Sequence, residues 1–165
     1  MRRRKTPNPK IQHPDKLQTS RSKRFRTGQL KKRKITDVAA GLVFRDGKLL
    51  ITLRYDDAHL GGLWEFPGGK VERDETFEVC LLRELREELG IEVEIQELIE
   101  TDTHAYPGKT VRLKFFRCRW VANEPRKLGC ADFRWVTASE LKQYEFPAAD
   151  AVLIERLQKE AGRWK

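Results

Sequence analysis

Two apolar runs begin the regularly patterned part of the chain. Residues 38–44 and 49–53 are rich in aliphatic side chains, and the pair Asp46-Gly47 separates them. An Asp-Gly pair between two apolar runs is typical of a tight primed turn, so this pattern predicts a β-hairpin. The polar, glycine-rich stretch at 55–69 is predicted to be a long loop, and loops of that length usually have a functional role.

A helix is predicted at residues 77–89, which contain neither glycine nor proline. Thr76 precedes it as an N-cap, and Gly90 follows where a left-handed residue commonly ends a helix. At about 100° per residue, two sets of side chains separate onto opposite sides of this helix. The apolar side carries Leu82, Leu85 and Leu89, and the other side carries Glu84, Glu87 and Glu88. One face is therefore suited to a core, and the other gathers three carboxylates.

The second half of the chain predicts two long strands followed by shorter elements. Residues 91–99 alternate aliphatic and polar side chains, and a turn at Pro107-Gly108 precedes an aromatic-rich strand at 111–121. The shorter elements are a strand at 133–136, a weak helix at 139–144 and a final helix at 149–161. Strands and helices intermixed in this order predict an α/β fold in which helices cover a mixed β-sheet.

Charge is distributed unevenly between the first 34 residues and the rest of the chain. The 165 residues include 34 Lys and Arg and 25 Asp and Glu, which gives a net charge of +9. Residues 1–34 hold fourteen of the basic residues and one acid, so they carry +13 while residues 35–165 carry −4. The first segment also has three prolines and few apolar side chains. This composition predicts a disordered basic arm at 1–34 before a single folded domain at 35–165.

Three roles fit the basic arm. It is either a solvated tail that improves solubility or a segment that makes non-specific contacts with nucleic-acid phosphates. An organelle transit peptide is a third role, which the early prolines and the lack of a clear amphipathic period disfavour. Charge alone does not separate the first two roles, so both stay open at this point.

Membrane and secretory segments are not predicted. No apolar run reaches the roughly 18 residues that a membrane span needs, and the first thirty residues lack the apolar stretch of a secretory signal. The three cysteines, Cys80, Cys118 and Cys130, are an odd number without metal-site spacing. They are predicted to be reduced, buried thiols, and the protein is predicted to be cytoplasmic and without membrane contact.

The glutamate face of the predicted helix favours a bound cation. Clustered like charges cost stability unless cations neutralise them, although a solvated acidic face would explain the helix taken alone. Mg²⁺ prefers carboxylate oxygens and keeps coordination positions for water and phosphate. In the preceding loop, Gly68 and Gly69 let the backbone approach an ion or a phosphate closely, and Lys70 adds positive charge.

The loop and the helix together fit the pattern G-x5-E-x7-R-E-U-x-E-E-x-G-U, where U is a bulky aliphatic residue. The matching positions are Gly69, Glu75, Arg83, Glu84, Leu85, Glu87, Glu88, Gly90 and Ile91. This pattern is the Nudix box, and roughly residues 36–161 resemble a Nudix hydrolase of the MutT type. The resemblance implies an α/β/α sandwich whose loop-helix-loop motif holds a divalent metal ion against a diphosphate.

The resemblance also implies roles for the matching residues. The metal-binding and catalytic residues are Glu84, Glu87 and Glu88, with the Gly68 carbonyl as a further metal ligand. The residues with a structural role are Gly69, Glu75, Arg83 and Gly90, and an ion pair between Arg83 and Glu75 holds the loop to the helix. The implied cofactor is Mg²⁺, with Mn²⁺ as a substitute, and metal-activated water attacks phosphorus.

One position departs from the family's pattern. MutT-like enzymes often supply a further metal-binding glutamate from the loop before a strand like the one at 133–136, and Gly129 stands at the aligned position. The nearest acid in this loop is Asp132. Three explanations stay open: Asp132 substitutes for the glutamate, the three helix glutamates suffice, or the enzyme is slow.

Three further positions match residues that line the nucleotide site in MutT-like enzymes. By this resemblance Phe66 packs against the base, Arg54 reaches the sugar or phosphate, and Asp150 sets base specificity. The alternatives are a core aromatic, a surface cation and a helix N-cap, respectively. An ionised Asp150 only accepts hydrogen bonds and suits guanine, whereas a protonated one both donates and accepts and suits cytosine.

The function favoured by the resemblance is hydrolysis of oxidised nucleoside triphosphates such as 8-oxo-dGTP to nucleoside monophosphate and pyrophosphate. This activity cleanses the nucleotide pool and contributes to DNA repair. One alternative is a pyrophosphohydrolase for CTP or modified dCTP. Another is a nucleic-acid-binding module that resembles the C-terminal domain of MutY-type adenine glycosylases, which would not need three clustered glutamates. Monomer and dimer both stay open.

Overall fold

The computed structural model describes residues 34–107 and 109–164. The predicted basic arm lies outside the described residues except for Lys34, which begins the first strand. Its disorder, its contact with nucleic acid and the division of the chain into residues 1–34 and 35–165 therefore stay predictions.

The predicted hairpin is present. Strands β1 (Lys34–Arg45) and β2 (Lys48–Leu53) pair antiparallel, and Asp46 and Gly47 connect them. The φ angles of these two residues are 50° and 72°, the positive values that a primed turn requires at both central positions. Glycine adopts such angles without a steric penalty, and aspartate tolerates them better than most residues. The Asp-Gly pair thus sets the register of the hairpin.

A mixed sheet is built around β1. The further strands are β3 (Trp64–Glu65), β4 (Gly68–Lys70), β5 (Glu92–Tyr106), β6 (Lys109–Ala122) and β7 (Asp132–Val136). The main path runs β3-β2-β1-β6-β5, with β4 paired to β1 and β7 paired to β2. Strand β1 runs parallel to β6, whereas its pairings with β2 and β4 are antiparallel. The prediction of an α/β fold with a mixed sheet is confirmed.

The central helix has the predicted bounds. Helix α1 (Phe77–Leu89) begins after Thr76, whose hydroxyl accepts a hydrogen bond of 3.2 Å from the Val79 N–H. It ends at Gly90, which has a φ of 71° and donates its N–H to carbonyls of the last turn. Both ends therefore have the chemistry that satisfies otherwise unpaired backbone groups.

Side chains on the two faces of β1 enter two separate cores. Ala39 and Val43 pack towards α1, whose buried residues are Cys80, Leu81, Leu85 and Leu89. Leu42 and Phe44 point the other way, towards helix α2 (Ala151–Lys159) with its buried Leu153 and Leu157. Alternation along the strand thus produces the expected α/β/α layering. Leu81 is fully buried, while the predicted Leu82 is only half-buried.

Several predicted elements differ from those observed. The stretch 55–69 is not a continuous loop, because it contains β3 and the start of β4. Strand β5 continues to residue 106 rather than 99, because pairing with β6 extends through polar residues that have no strand pattern of their own. The predicted helix at 139–144 is a single 3-10 turn, Leu141–Gln143, and the final helix is shorter than predicted.

The structure confirms the predicted burial of the thiols. Cys80, Cys118 and Cys130 are free and buried, and burial raises the pKa of each thiol to about 11 or about 12. They are therefore protonated and unreactive at neutral pH. Among the residues described, no helix is both long and apolar enough to cross a bilayer.

The N-cap of α1 is testable by substitution. Thr76→Ala removes the acceptor for the Val79 N–H, and we expect it to lower the free energy of unfolding by about 1 kcal/mol. Thr76→Ser retains the acceptor and should match the wild type. Urea denaturation measures both changes, and equal stability of the alanine and serine variants would contradict the capping role.

Candidate active site

A cavity of about 590 Å³ lies where β1, β4, α1 and β6 meet the segments at 54–60 and 147–150. Its volume suits a small-molecule ligand. The charged side chains that line it are Arg54, Glu65, Lys70, Glu84, Glu88 and Asp150. The sequence-predicted residues Phe66, Gly68 and Gly69 line it as well. The fold thus gathers most of the predicted site residues around one concave surface.

Arg83 joins the glycine loop to the helix. Its guanidinium donates to both oxygens of Glu75, with Nε to Oε1 at 2.8 Å and Nη2 to Oε2 at 2.9 Å. Nη2 also reaches the Lys70 carbonyl at 3.3 Å. Hydrogen bonds from Arg83, and then from the Glu72 N–H, lower the pKa of Glu75 to about 2. The expected ion pair is therefore present and stays charged at any physiological pH.

Neither Gly68 nor Gly69 can carry a side chain, because neighbouring atoms lie too close to each of them. A Cβ at Gly69 would lie 2.2 Å from the carboxyl carbon of Glu84. Gly68 has a φ of 152°, and a Cβ there would lie 2.1 Å from the Ala39 carbonyl oxygen. The absence of side chains lets the loop pass between β1 and α1 and leaves space for Glu84 at the cavity wall.

Glu88 is a carboxyl in a half-buried, acidic environment. Burial, followed by the charges of Glu65 and Glu84, raises its pKa to about 8, while the Gly68 N–H and Arg54 oppose this rise. A carboxylate in such surroundings is stabilised by a nearby cation. The wall formed by Glu84 and Glu88 therefore has the chemistry of a cation site.

Glu87 is not part of the cavity wall that Glu84 and Glu88 form. Its side chain is 61% exposed, its carboxylate accepts from Arg83 Nη1 at 3.2 Å, and it is not among the residues that line the cavity. Across residues 34–107 and 109–164, no three His, Cys, Asp or Glu side chains converge as a preformed metal cluster. Two carboxylates do fit Mg²⁺, which proteins commonly bind through one or two carboxylates together with substrate phosphates.

Arg54 and Glu65 form an ion pair in the cavity wall. Arg54 Nη1 contacts Glu65 Oε2, and Arg54 Nε donates to the His59 carbonyl at 2.8 Å. The Arg54 side chain is half-buried and paired with Glu65 rather than fully solvated, and its contact with a sugar or phosphate stays a prediction. Sequence reasoning missed Glu65 as a site residue. Its one signal is a charged residue between the aromatic Trp64 and Phe66.

Phe66 is at once a core residue and a cavity residue. It is 4% exposed and packs against Phe115 and Phe146, with ring centroids 5.9 and 5.3 Å away. The core-aromatic alternative is therefore realised, and packing of Phe66 against a base stays a prediction. Phe115 also lines the cavity and was missed, because its position in an aromatic-rich strand resembles that of any core residue.

Asp150 is a buried carboxyl that also lines the cavity. Its side chain makes no capping hydrogen bond to α2, so the N-cap alternative is wrong. The residue is 6% exposed. Burial, followed by the charges of Glu65 and Asp102, raises the pKa of Asp150 to about 6. A carboxyl with this pKa can be either neutral or charged near physiological pH.

Asp132 does not reach the cavity wall. It pairs with Arg134 at 2.6 Å and Lys127 at 3.8 Å, and it is absent from the cavity lining among the described residues. Gly129 does line the cavity, next to Glu88. The structure therefore gives no support to Asp132 as the substitute for the family's extra glutamate.

Comparison with known proteins places this geometry in a family. The family model described as NUDIX domain matches residues 39–156. The CTP pyrophosphohydrolase of Escherichia coli K12 is 37% identical over 127 residues, which cover 74% of this chain and 90% of that protein. An 8-oxo-dGTP diphosphatase of Haemophilus influenzae is 38% identical over 130 residues, covering 78% and 95%.

Solved structures show the same fold. The solution structure of the E. coli ORF135 protein superimposes with a TM-score of 0.68 at 33% identity and covers 80% of this chain and 94% of its own. The crystal structure of a MutT protein from Methanosarcina mazei gives 0.70 at 23% identity, covering 78% and 96%. The family match and the relatives above confirm the expected family and the expectation that the protein is an enzyme. The chain belongs to the NUDIX domain family and is a MutT-like Nudix hydrolase.

Proposed function

We propose that this protein is a nucleoside triphosphate pyrophosphohydrolase that uses Mg²⁺, or Mn²⁺ in its place, to hydrolyse oxidised guanine nucleotides such as 8-oxo-dGTP. The products are the nucleoside monophosphate and pyrophosphate. One observation carries the proposal: a single cavity has the carboxylates Glu84 and Glu88 in its wall together with the aromatic Phe66 and the buried Asp150. The first pair suits a metal-bound diphosphate, and the second suits a base.

The metal would be held by the glutamates of α1. Glu84 and Glu88 would provide the carboxylates, and the Gly68 carbonyl would be a further ligand. Glu87, which pairs with Arg83, would join them only if that ion pair opened. A bound divalent ion neutralises phosphate oxygens and lowers the pKa of water. Arg83 and Glu75 keep the loop and the helix at a constant separation. Lys70 adds a positive charge to the cavity wall that attracts the phosphates.

Asp150 would select the base. The ionised carboxylate accepts hydrogen bonds and complements the paired N–H donors on the Watson–Crick edge of guanine. Phe66 supplies an apolar surface for the ring, and Arg54, paired with Glu65, offers its remaining N–H groups to the sugar or phosphate. The names of several relatives, 8-oxo-dGTP diphosphatase, support this substrate.

A cytosine nucleotide is the second candidate. The E. coli relative at 37% identity is named CTP pyrophosphohydrolase. A protonated Asp150 would both donate and accept, as cytosine requires, and the raised pKa of Asp150, about 6, makes that form accessible. A purely nucleic-acid-binding role is less favoured, because recognition of a base does not need two carboxylates in the cavity wall.

Pyrophosphate release from a panel of oxidised and canonical nucleotides tests the activity. With Mg²⁺ we expect turnover that EDTA abolishes, and we expect Glu88→Gln to lower kcat at least about 100-fold because it removes a charge from the metal site. Glu97→Gln is the matched control, since Glu97 is an exposed glutamate on β5 away from the cavity. The proposal fails if EDTA has no effect or if both variants keep the wild-type rate.

The pH dependence of base preference tests Asp150. Its pKa of about 6 lies above the ordinary value of 3.8, so the group loses its proton as the pH rises through about 6. We expect the ratio of 8-oxo-dGTP to CTP turnover to increase between about pH 5 and pH 7.5. The ratio cancels the effect of pH on the glutamates that both reactions share.

Asp150→Asn provides the comparison for this measurement. Asparagine does not titrate and always has both a donor and an acceptor, so its ratio should be independent of pH and lower than that of the wild type at about pH 7.5. A wild-type ratio without pH dependence, or an Asn variant that retains it, would remove Asp150 from base selection.

A further inference from the structure

The segment at 126–130 closes against the end of α1 that carries Glu88. The N–H groups of Leu128 and Gly129 both donate to the Glu88 carbonyl, at 3.0 and 2.9 Å, and the Arg126 N–H donates to the Leu89 carbonyl at 2.9 Å. The last carbonyls of a helix have no partners within the helix. This segment therefore supplies hydrogen-bond donors to those carbonyls and anchors the main chain of Glu88.

Gly129 is a glycine for reasons of space. Its φ is not among the positive values found at other glycines, so its backbone conformation does not require a glycine. A Cβ there would lie 3.0 Å from both Cα and Cγ of Glu88 and 3.2 Å from its Cβ. Such contacts force a neighbour to move, and the Glu88 Cα is part of the hydrogen-bonded helix and cannot move freely.

We propose that Gly129 is a positioning residue for Glu88: the lack of a side chain lets the segment 126–130 pack directly on the backbone and the side-chain stem of Glu88 and set the direction of its carboxylate. This inference rests on the proposed role of Glu88 in the metal site. The Glu88 side chain then has the Gly68 N–H at its carboxylate and Gly129 at its stem.

The same contact bears on why position 129 does not carry the glutamate that MutT-like enzymes often have there. A glutamate at position 129 would place its Cβ against the Glu88 backbone, and the nearby Asp132 is paired with Arg134. In this chain, position 129 therefore packs on the backbone and side-chain stem of Glu88 instead of supplying a further carboxylate. Restoring the glutamate should displace Glu88 rather than improve the site.

Three glycine substitutions test this inference. Gly129→Ala adds only the clashing Cβ, Gly129→Glu restores the family's residue, and Gly162→Ala is the matched control because nothing lies within 4 Å of a Cβ at Gly162. Displacing Glu88 by a few tenths of an ångström should lower kcat about three- to tenfold in Gly129→Ala, with KM for the nucleotide within about twofold of the wild type. We expect a larger loss in Gly129→Glu and none in Gly162→Ala.

Two measurements separate positioning from a general loss of structure. Mn²⁺ binding in the absence of nucleotide, followed by electron paramagnetic resonance of the free ion, should weaken in Gly129→Ala but not in Gly162→Ala. In a Glu88→Gln background, adding Gly129→Ala should cost nothing more, because the two changes act through one side chain. Thermal unfolding of each variant verifies that the comparison is made between folded proteins.

The results that would overturn the role of Gly129 differ from the result that would overturn the proposed function. A Gly129→Ala variant with wild-type kcat and Mn²⁺ affinity, a Gly129→Glu variant faster than the wild type, or an additive loss in the Glu88→Gln background overturns the role of Gly129. If the wild type releases no pyrophosphate, the proposed function fails. The Mn²⁺ measurement still decides whether Gly129 positions Glu88.

Discussion

A two-point ion pair between Arg83 and Glu75 holds the glycine loop against α1. The guanidinium binds both oxygens of Glu75 and also reaches the Lys70 carbonyl and Glu84. It therefore joins the loop before the helix to the helix itself. The positions of the glycine loop and of the cavity carboxylates follow from this contact, because a shift of α1 along the loop would break several charge-assisted hydrogen bonds at once.

The fold also creates an acidic cavity in a basic chain. The cavity wall holds more acidic than basic side chains, although the whole chain has a net charge of +9. Burial and mutual repulsion raise the pKa values of Glu88 and Asp150, each partly through Glu65, which lies in the wall with both. The fold thus keeps these carboxyls in an environment that a divalent cation or a donor-rich base would stabilise. The net charge of the chain conceals this arrangement.

Much of the site was accessible from the sequence because its signals are local. The caps of α1, the glutamate face and the glycine loop lie within about 25 consecutive residues, where helical periodicity and residue type are informative. The residues that were missed or misjudged belong to contacts between distant segments. Glu65 faces the cavity through strand pairing, Asp132 is removed from it by an ion pair with Arg134, and Glu87 faces Arg83 and solvent.

The hairpin, the central helix and the family were all predictable from the sequence, because each depends on the spacing of residues that are close together along the chain. Contacts between distant segments set the extent of β5, the glutamates that line the cavity and the need for a glycine at position 129. Strand length depends on a partner strand, and the space at Gly129 depends on a helix that lies about forty residues earlier in the chain. Such packing contacts leave no periodic signal in one sequence, because the residues that meet are far apart along the chain.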